Sequence, residues 1–210
     1  THSYRKILAA PHQMKKQLLA RIEREALVHS PEMPGLIRIK ANALEDAEIV
    51  EALYRASQAG VKIELIIRDT CRLRPGLPGL SETVSVVSIV GRFLEHARIY
   101  YFRNAGQEDY FIGSADAMSR NLESRVEILV PIENASLRKE LHALFETQLG
   151  DQRSAWDMQP DGSYVQRRPR GGSRGRPCQE VLIEASRLRS ERARRLRKVK
   201  PRAFARRGPK

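Results

Sequence analysis

Apolar positions recur along the first 150 residues with two alternating periods, and the alternation predicts an architecture. Residues 5–10 form a short run of strand character stopped by Pro11, and residues 13–27 place Leu18, Leu19, Ile22 and Ala26 on one helical face. Residues 36–41 predict a strand. Residues 42–59 predict a helix with Ile49, Val50, Leu53 and Ala56 inward and Gly60 as its C-cap, and residues 61–67 an apolar strand. A strand–helix–strand unit closed by short loops predicts parallel strands covered by helices. Further strands are expected at 84–90, 98–103, 110–115 and 125–131, with a hairpin loop at 104–109. A last helix at 135–149 turns Leu137, Leu141, Leu144 and Phe145 inward. About seven strands and three main helices result. The expected fold class is α/β, a layered domain with a mostly parallel or mixed sheet and helices on its faces.

Between the predicted strands, residues 68–82 make a loop of unusual length for a compact domain, with Pro75, Gly76, Pro78 and Gly79, which marks it as a functional candidate. Composition changes the picture at residues 158–160. Residues 1–159 hold equal numbers of basic and acidic side chains, so the net charge of +13 comes entirely from residues 160–210. The expected division is therefore a body at 1–159 and a basic, largely disordered tail at 160–210. The tail contains a Gly/Arg-rich linker and a short amphipathic helix at about 179–199 built on Val181, Leu182, Ala185, Leu188 and Leu196, with fraying over the last ten residues. An anion site in the balanced body must be a local cluster.

Cys71 and Cys178 are far apart and fit neither a metal pattern nor a disulfide framework, which points to a reducing, cytoplasmic compartment. No apolar stretch approaches the roughly 20 residues of a membrane span, and no signal segment opens the chain, so a soluble protein is expected. A chain without an initiator Met that opens straight into a strand-like run suits a segment of a longer protein.

The common phosphate loops and zinc-hydrolase signatures are absent. The densest polar cluster is Gly91-Arg92-Phe93-Leu94-Glu95-His96-Ala97-Arg98, followed by Gly113-Ser114-Ala115-Asp116. A His-x-basic pair beside a strand, with a later Gly-Ser at a strand end, resembles the phospholipase D superfamily, although Arg98 stands where that superfamily prefers Lys and Arg103 where its Asp would fall. In such a site the imidazole attacks or protonates a phosphoryl centre, the basic residue holds its oxygens, and a small hydroxyl residue orients the ring or the phosphate. Arg68, Arg72, Arg92, Arg98, Arg120 and Arg125 all fall near predicted strand ends, where α/β sheets build anion sites, and guanidinium forks suit phosphate oxygens. Each also has an ordinary structural reading. Arg120 and Arg125 flank Glu123 and Glu127 and could pair with them, while Lys40 and Asn42 could close the loop before the second helix, with Asn42 as its N-cap.

A longer string of motifs is similar to the type 1 polyphosphate kinases. It runs through Ile39-Lys40-Ala41-Asn42, Leu53-Tyr54-Arg55-Ala56-Ser57, Ala59-Gly60-Val61 and Ile67-Arg68 with Cys71, then Pro75-Gly76 and Gly79-Leu80-Ser81. Ser88-Ile89-Val90-Gly91-Arg92-Phe93-Leu94-Glu95-His96 follows, then Gly113-Ser114-Ala115-Asp116, Met118, Arg120-Asn121 and Arg125-Val126-Glu127, so the string covers roughly residues 2–150. The resemblance implies a phospholipase D-like domain, the last of four, in an enzyme that moves phosphoryl groups between ATP and inorganic polyphosphate. It places Arg68 and His96 on the family's ATP-contacting arginine and histidine, with His96 as catalytic residue opposite a phosphohistidine of the preceding domain. Lys40, Arg98, Ser114, Arg120 and Arg125 are the candidate phosphate-binding residues. Mg2+ would be bound mainly by that preceding domain, no metal site is assigned to this chain, and the full-length enzyme would be a homo-oligomer. Asp69 departs from the family, which usually has Gly there.

Two other functions stay open on the residues alone. One is a phospholipase D-type phosphodiesterase acting on nucleic acid or lipid, which would need a second chain to supply its partner histidine. The other is a non-catalytic polyanion-binding module. The basic tail suits nucleic acid, polyphosphate or plain solvation, and it lacks the aromatic residues of single-strand binders.

Overall fold

The computed structural model describes residues 4, 6–169 and 175–198, the last three by backbone alone. The expected strand start at residue 5, the linker at 170–174, the inward side chain of Leu196 and everything from residue 199 lie outside the described residues. Fourteen elements follow one another: β1 (Leu8–Ala10), α1 (Met14–Val28), β2 (Leu36–Ala41), α2 (Ala47–Gln58), β3 (Lys62–Ile67), β4 (Val84–Ile89), β5 (Arg98–Phe102), β6 (Asp109–Gly113), α3 (Ser119–Glu123), β7 (Glu127–Pro131), α4 (Ala135–Leu149), β8 (Ala155–Met158), β9 (Tyr164–Gln166) and α5 (Cys178–Lys198).

All nine strands join one sheet in the order β1-β7-β6-β5-β2-β3-β4-β8-β9. Only β2, β3 and β4 run parallel, and every other pairing is antiparallel, so the sheet is mixed and not mostly parallel. The reason is connection length. A parallel return needs a crossover of a dozen or more residues, and the short turn between β5 and β6 can only fold back antiparallel.

Strand alternation sorts the side chains of β2 onto two faces. Ile37 and Ile39 meet Met14, Leu18 and Ile22 of α1 and Ile49 and Leu53 of α2 in the larger core. Arg38 and Lys40 point the other way, where Leu36, Ile66, Val87, Ile89, Ile99, Tyr101 and Tyr110 pack with Phe145 of α4 and Cys178 of α5. This second face is therefore partly polar, with the Arg38 Nε–Glu64 pair at 2.6 Å inside it. Lys40 is 2% exposed and is delivered to the α4–α5 side.

Four expectations need correction. Helix α2 begins at Ala47, because Asp46 caps it by accepting the Ile49 amide at 3.1 Å. Asn42 is no cap: Leu44 bridges to Cys71 and Ala117, which holds the stretch before the helix extended. Gly60, at φ +94°, lies one residue past the Ala59 cap in the left-handed conformation that ends the helix. The fourth concerns the composition break at 159/160, which falls inside the β8–β9 hairpin. Arg167 grips Asp157 with Nη2 at 2.7 Å and Nε at 2.8 Å, so the sheet continues past the point where the charge balance changes.

Candidate functional site

The carboxyl ends of β2 and β3, the start of β5 and the end of β6 meet at one edge of the sheet. Here Arg98 is centrally placed. Its Nε and Nη2 donate to Asp116 Oδ1 and Oδ2 at 3.2 and 2.9 Å, and its Nη1 donates to the His96 carbonyl at 2.8 Å. The same Nη1 stands 3.2 Å from both ring nitrogens of His96. A guanidinium only donates, so a ring nitrogen engaged by it is an acceptor. His96 itself is exposed.

Asp116 is the fixed point of this cluster. Besides Arg98, it accepts the Asn42 main-chain amide at 2.7 Å and the Asn42 side-chain amide at 3.1 Å, which ties the end of β2 to the turn after β6. Burial alone would raise its carboxyl pKa, yet the Arg98 and Asn42 hydrogen bonds hold it below the ordinary value. Asn42 thus serves Asp116.

A second hub lies one residue before His96. Glu95 Oε2 accepts Lys40 Nζ at 2.8 Å and Gln148 Nε2 at 3.0 Å, while Oε1 accepts Gln179 Nε2 at 2.7 Å. The Glu95 carbonyl accepts Arg68 Nη1 at 2.8 Å. Burial works to raise the Glu95 pKa, and the Lys40 ammonium with the two glutamine amides overcomes it, so the group is held low and ionised. Lys40 is thus occupied by a carboxylate instead of open to solvent. Gln148 and Gln179 were invisible to the sequence reading; both are distant in sequence and carry no motif.

Arg68 is half-buried and borders a cleft of about 430 Å³ that Asp69, Thr70, Ser88, Val90, Trp156 and Tyr164 also line. Among the described residues no ion pair joins Arg68 to Asp69. Ser114 follows the Arg98–Gly113 strand pair at the His96 end, and its hydroxyl accepts the Ile128 amide at 3.3 Å. Arg120 and Arg125, on and just after α3, are both exposed. The expected pairs with Glu123 and Glu127 do not form: Glu123 takes Lys15 and Glu127 accepts the Asn121 amide at 2.8 Å. The structure therefore brings Lys40, Arg68, His96 and Arg98 together around Glu95 and Asp116, with Ser114 at their margin and two exposed arginines on α3 and its exit.

Among the described residues no group of three or more His, Cys, Asp or Glu side chains is arranged to hold a metal ion. The two carboxylates of the site are already engaged by Lys40 and Arg98, so these residues do not fit a Mg2+ site of their own. No helix among them is long and apolar enough to cross a membrane.

Comparison with known proteins bears on the whole fold. The fold matches the crystal structure of polyphosphate kinase from Porphyromonas gingivalis with a TM-score of 0.84 and 33% identity, covering 90% of this chain and 29% of that one. It also matches a phospholipase D family member, Nuc, from Salmonella typhimurium, at TM-score 0.54 and 14% identity over 73% of this chain and 97% of that one, a likeness of fold alone. Polyphosphate kinases from Synechocystis and Pseudomonas aeruginosa are 49% and 47% identical over 85% and 86% of this chain. The chain spans about a quarter of the length of each, 25% and 26%. Residues 7–176 match the family described as polyphosphate kinase C-terminal domain 2. Sequence and fold matches over most of its length converge, and the chain belongs to the polyphosphate kinase family.

Proposed function

We propose that this chain forms one wall of an ATP:polyphosphate phosphotransferase site, in which the terminal phosphate of ATP passes reversibly to a polyphosphate chain, leaving ADP and a chain one unit longer. The observation that carries the reading is that Arg68 donates to the Glu95 carbonyl at 2.8 Å, one residue before the exposed His96. Arg68 binds nucleotide phosphate oxygens through its remaining N–H groups, and His96 faces the phosphoryl group in transfer. Arg98 holds the His96 segment, Lys40 holds Glu95, and Arg120, Arg125 and Ser114 offer cationic and hydroxyl contacts to the polyanion. Catalysis of this kind rests on positioning and charge neutralisation. Mg2+ and a phosphohistidine would come from a preceding domain.

An exposed apolar strip supports a facing domain. Ile112, Ile128 and Val130 share a face of β6 and β7 and are 37%, 43% and 45% exposed. The test is a chimera in which this chain replaces the matching last quarter of the Synechocystis enzyme. It should make polyphosphate from ATP and Mg2+, the His96→Ala chimera should make none, and the 210-residue chain alone should make none. Robust synthesis by the isolated chain, or by the His96→Ala chimera, would overturn the two-walled reading.

A further inference from the structure

The segment 91–97 carries His96, yet little of the usual kind holds it. It has no regular structure, Phe93 and Leu94 are 50% and 75% exposed, and outside the strands no main-chain to main-chain hydrogen bond joins it to another of the described residues. Its bonded main-chain groups go to side chains. The Glu95 and His96 carbonyls go to Arg68 and Arg98, and both polar groups of Phe93 go to one residue of α5, Gln179.

We propose that Gln179 is a positioning residue for His96, fixing the segment 91–96 from the first turn of α5 and so setting where the imidazole stands relative to Arg68. This rests on the reading of His96 and Arg68 as the nucleotide-facing pair, and it adds a residue beyond the 7–176 family match. The Gln179 amide pairs with the Phe93 peptide group as one strand residue pairs with another: Oε1 accepts the Phe93 N–H and Nε2 donates to the Phe93 carbonyl, both at 2.9 Å. The second Nε2 hydrogen reaches Glu95 Oε1 at 2.7 Å. With Gln179 only 6% exposed, both donors and its acceptor are used, an arrangement that neither a carboxylate nor an apolar side chain reproduces.

Two further features fix Gln179 itself. A Cβ at position 91 would fall 2.6 Å from Gln179 Oε1, so Gly91 leaves the space into which the amide fits. At the helix start, Asp151 Oδ2 accepts the Cys178 amide at 2.7 Å, and Cys178 is buried in the second core. The connection runs from Asp151 through the first turn of α5 to Gln179, and from there to Phe93, Glu95 and His96.

The test uses Gln179→Ala and Gln179→Glu, with Glu184→Ala as a control further along the same helix. In the 210-residue chain, amide exchange at Phe93 should rise about tenfold in Gln179→Ala, as expected when a buried acceptor worth about 1.4 kcal/mol is lost, while exchange in β2 and β3 stays as in the parent. In the chimera, kcat should fall about tenfold with KM for ATP within about threefold, since the three hydrogen bonds of Gln179 with Phe93 and Glu95 are lost and Arg68 is kept. Gln179→Glu should fall further because its carboxylate meets Glu95. Unchanged Phe93 exchange overturns the proposal, as does a kcat no lower than that of Glu184→Ala. If the parent chimera has no turnover, the kinase reading fails, and the Phe93 exchange still decides whether Gln179 fixes the segment.

Discussion

Arg98 and Asp116 are joined as a fork, Nε to Oδ1 at 3.2 Å and Nη2 to Oδ2 at 2.9 Å, with both side chains largely shut off from water. Cutting one half leaves the other charge buried and unpaired, which typically costs about 3–5 kcal/mol. Asp116→Ala should therefore shift the urea midpoint of the chain strongly downward, and it should also free Asn42. Arg98→Lys keeps the charge but cannot span both oxygens, so it should cost roughly 1.5–3 kcal/mol, the scale of one hydrogen bond to a charged group. An Asp116→Ala chain as stable as its parent would show that the fork contributes nothing net.

The central strands and the two long helices of the body were legible because their apolar positions are periodic: residues 36–41 and 135–149 have the expected bounds, although Leu137, expected inward, is 47% exposed. The edges were not. Helix α3 has five residues, too few to show a period, and β8 and β9 are short strands, β9 at the sheet edge, within or beside a stretch whose charge suggested a tail. Composition reports how a segment meets water, and Arg167 shows that a basic residue past the break can still close the sheet. At the site, His96, Arg68, Lys40 and Arg98 are singled out by motif, family resemblance and strand-end position. Their partners are not. Gln148 and Gln179 lie 53 and 84 residues from Glu95, and only the packing of α4 and α5 on one face brings them to it.

Asp151 sets an acid limit. Burial would raise its pKa, but Ser154, the Cys178 amide and the Arg153 amide pull it down to about 2. A folded pKa below the unfolded value of about 3.9 stabilises the fold fully above that value, and the contribution, about 2 kcal/mol, is lost as pH falls from about 4 through 2. The stability difference between the parent and Asp151→Asn should therefore be constant from pH 7 to 5 and shrink towards pH 2. Denaturant unfolding at five or six pH values measures it, and a difference that is flat down to pH 2 removes Asp151 from the acid transition.

Trp156 is the one tryptophan of the chain and lines the same cleft as Arg68, so it reports on anything that Arg68 holds there. Titrating ATP into the chimera in which that cleft is intact should change the Trp156 emission, read against a chimera carrying Trp156→Phe. Arg68→Ala should weaken the transition about tenfold to a hundredfold, the range for losing charge-assisted hydrogen bonds worth roughly 1.5–3 kcal/mol. Equal affinity in parent and Arg68→Ala would place the nucleotide elsewhere.

Polyanion binding by the basic segment has to be tested by charge and not by deletion. Ending the chain after residue 159 removes β9, the Arg167–Asp157 fork and the Gln179 contacts to Phe93 and Glu95, so it should destabilise the body and disturb the His96 segment at once. Loss of polyphosphate affinity in such a truncation would be uninformative. On α5, Arg187 and Arg189 are paired with Glu191 and Glu140, whereas Arg192, Arg194 and Arg195 are exposed. Replacing those three with Gln should leave the urea midpoint unchanged, because none of them lies in the core. If α5 contacts long polyphosphate, the slope of log affinity against log salt should flatten by roughly 0.7 for each phosphate contact removed, about 2 in all if the single-strand nucleic-acid value holds for this polymer. A slope identical to the parent's would take α5 out of polyanion binding and leave that task to the exposed Arg120 and Arg125 on and beside α3.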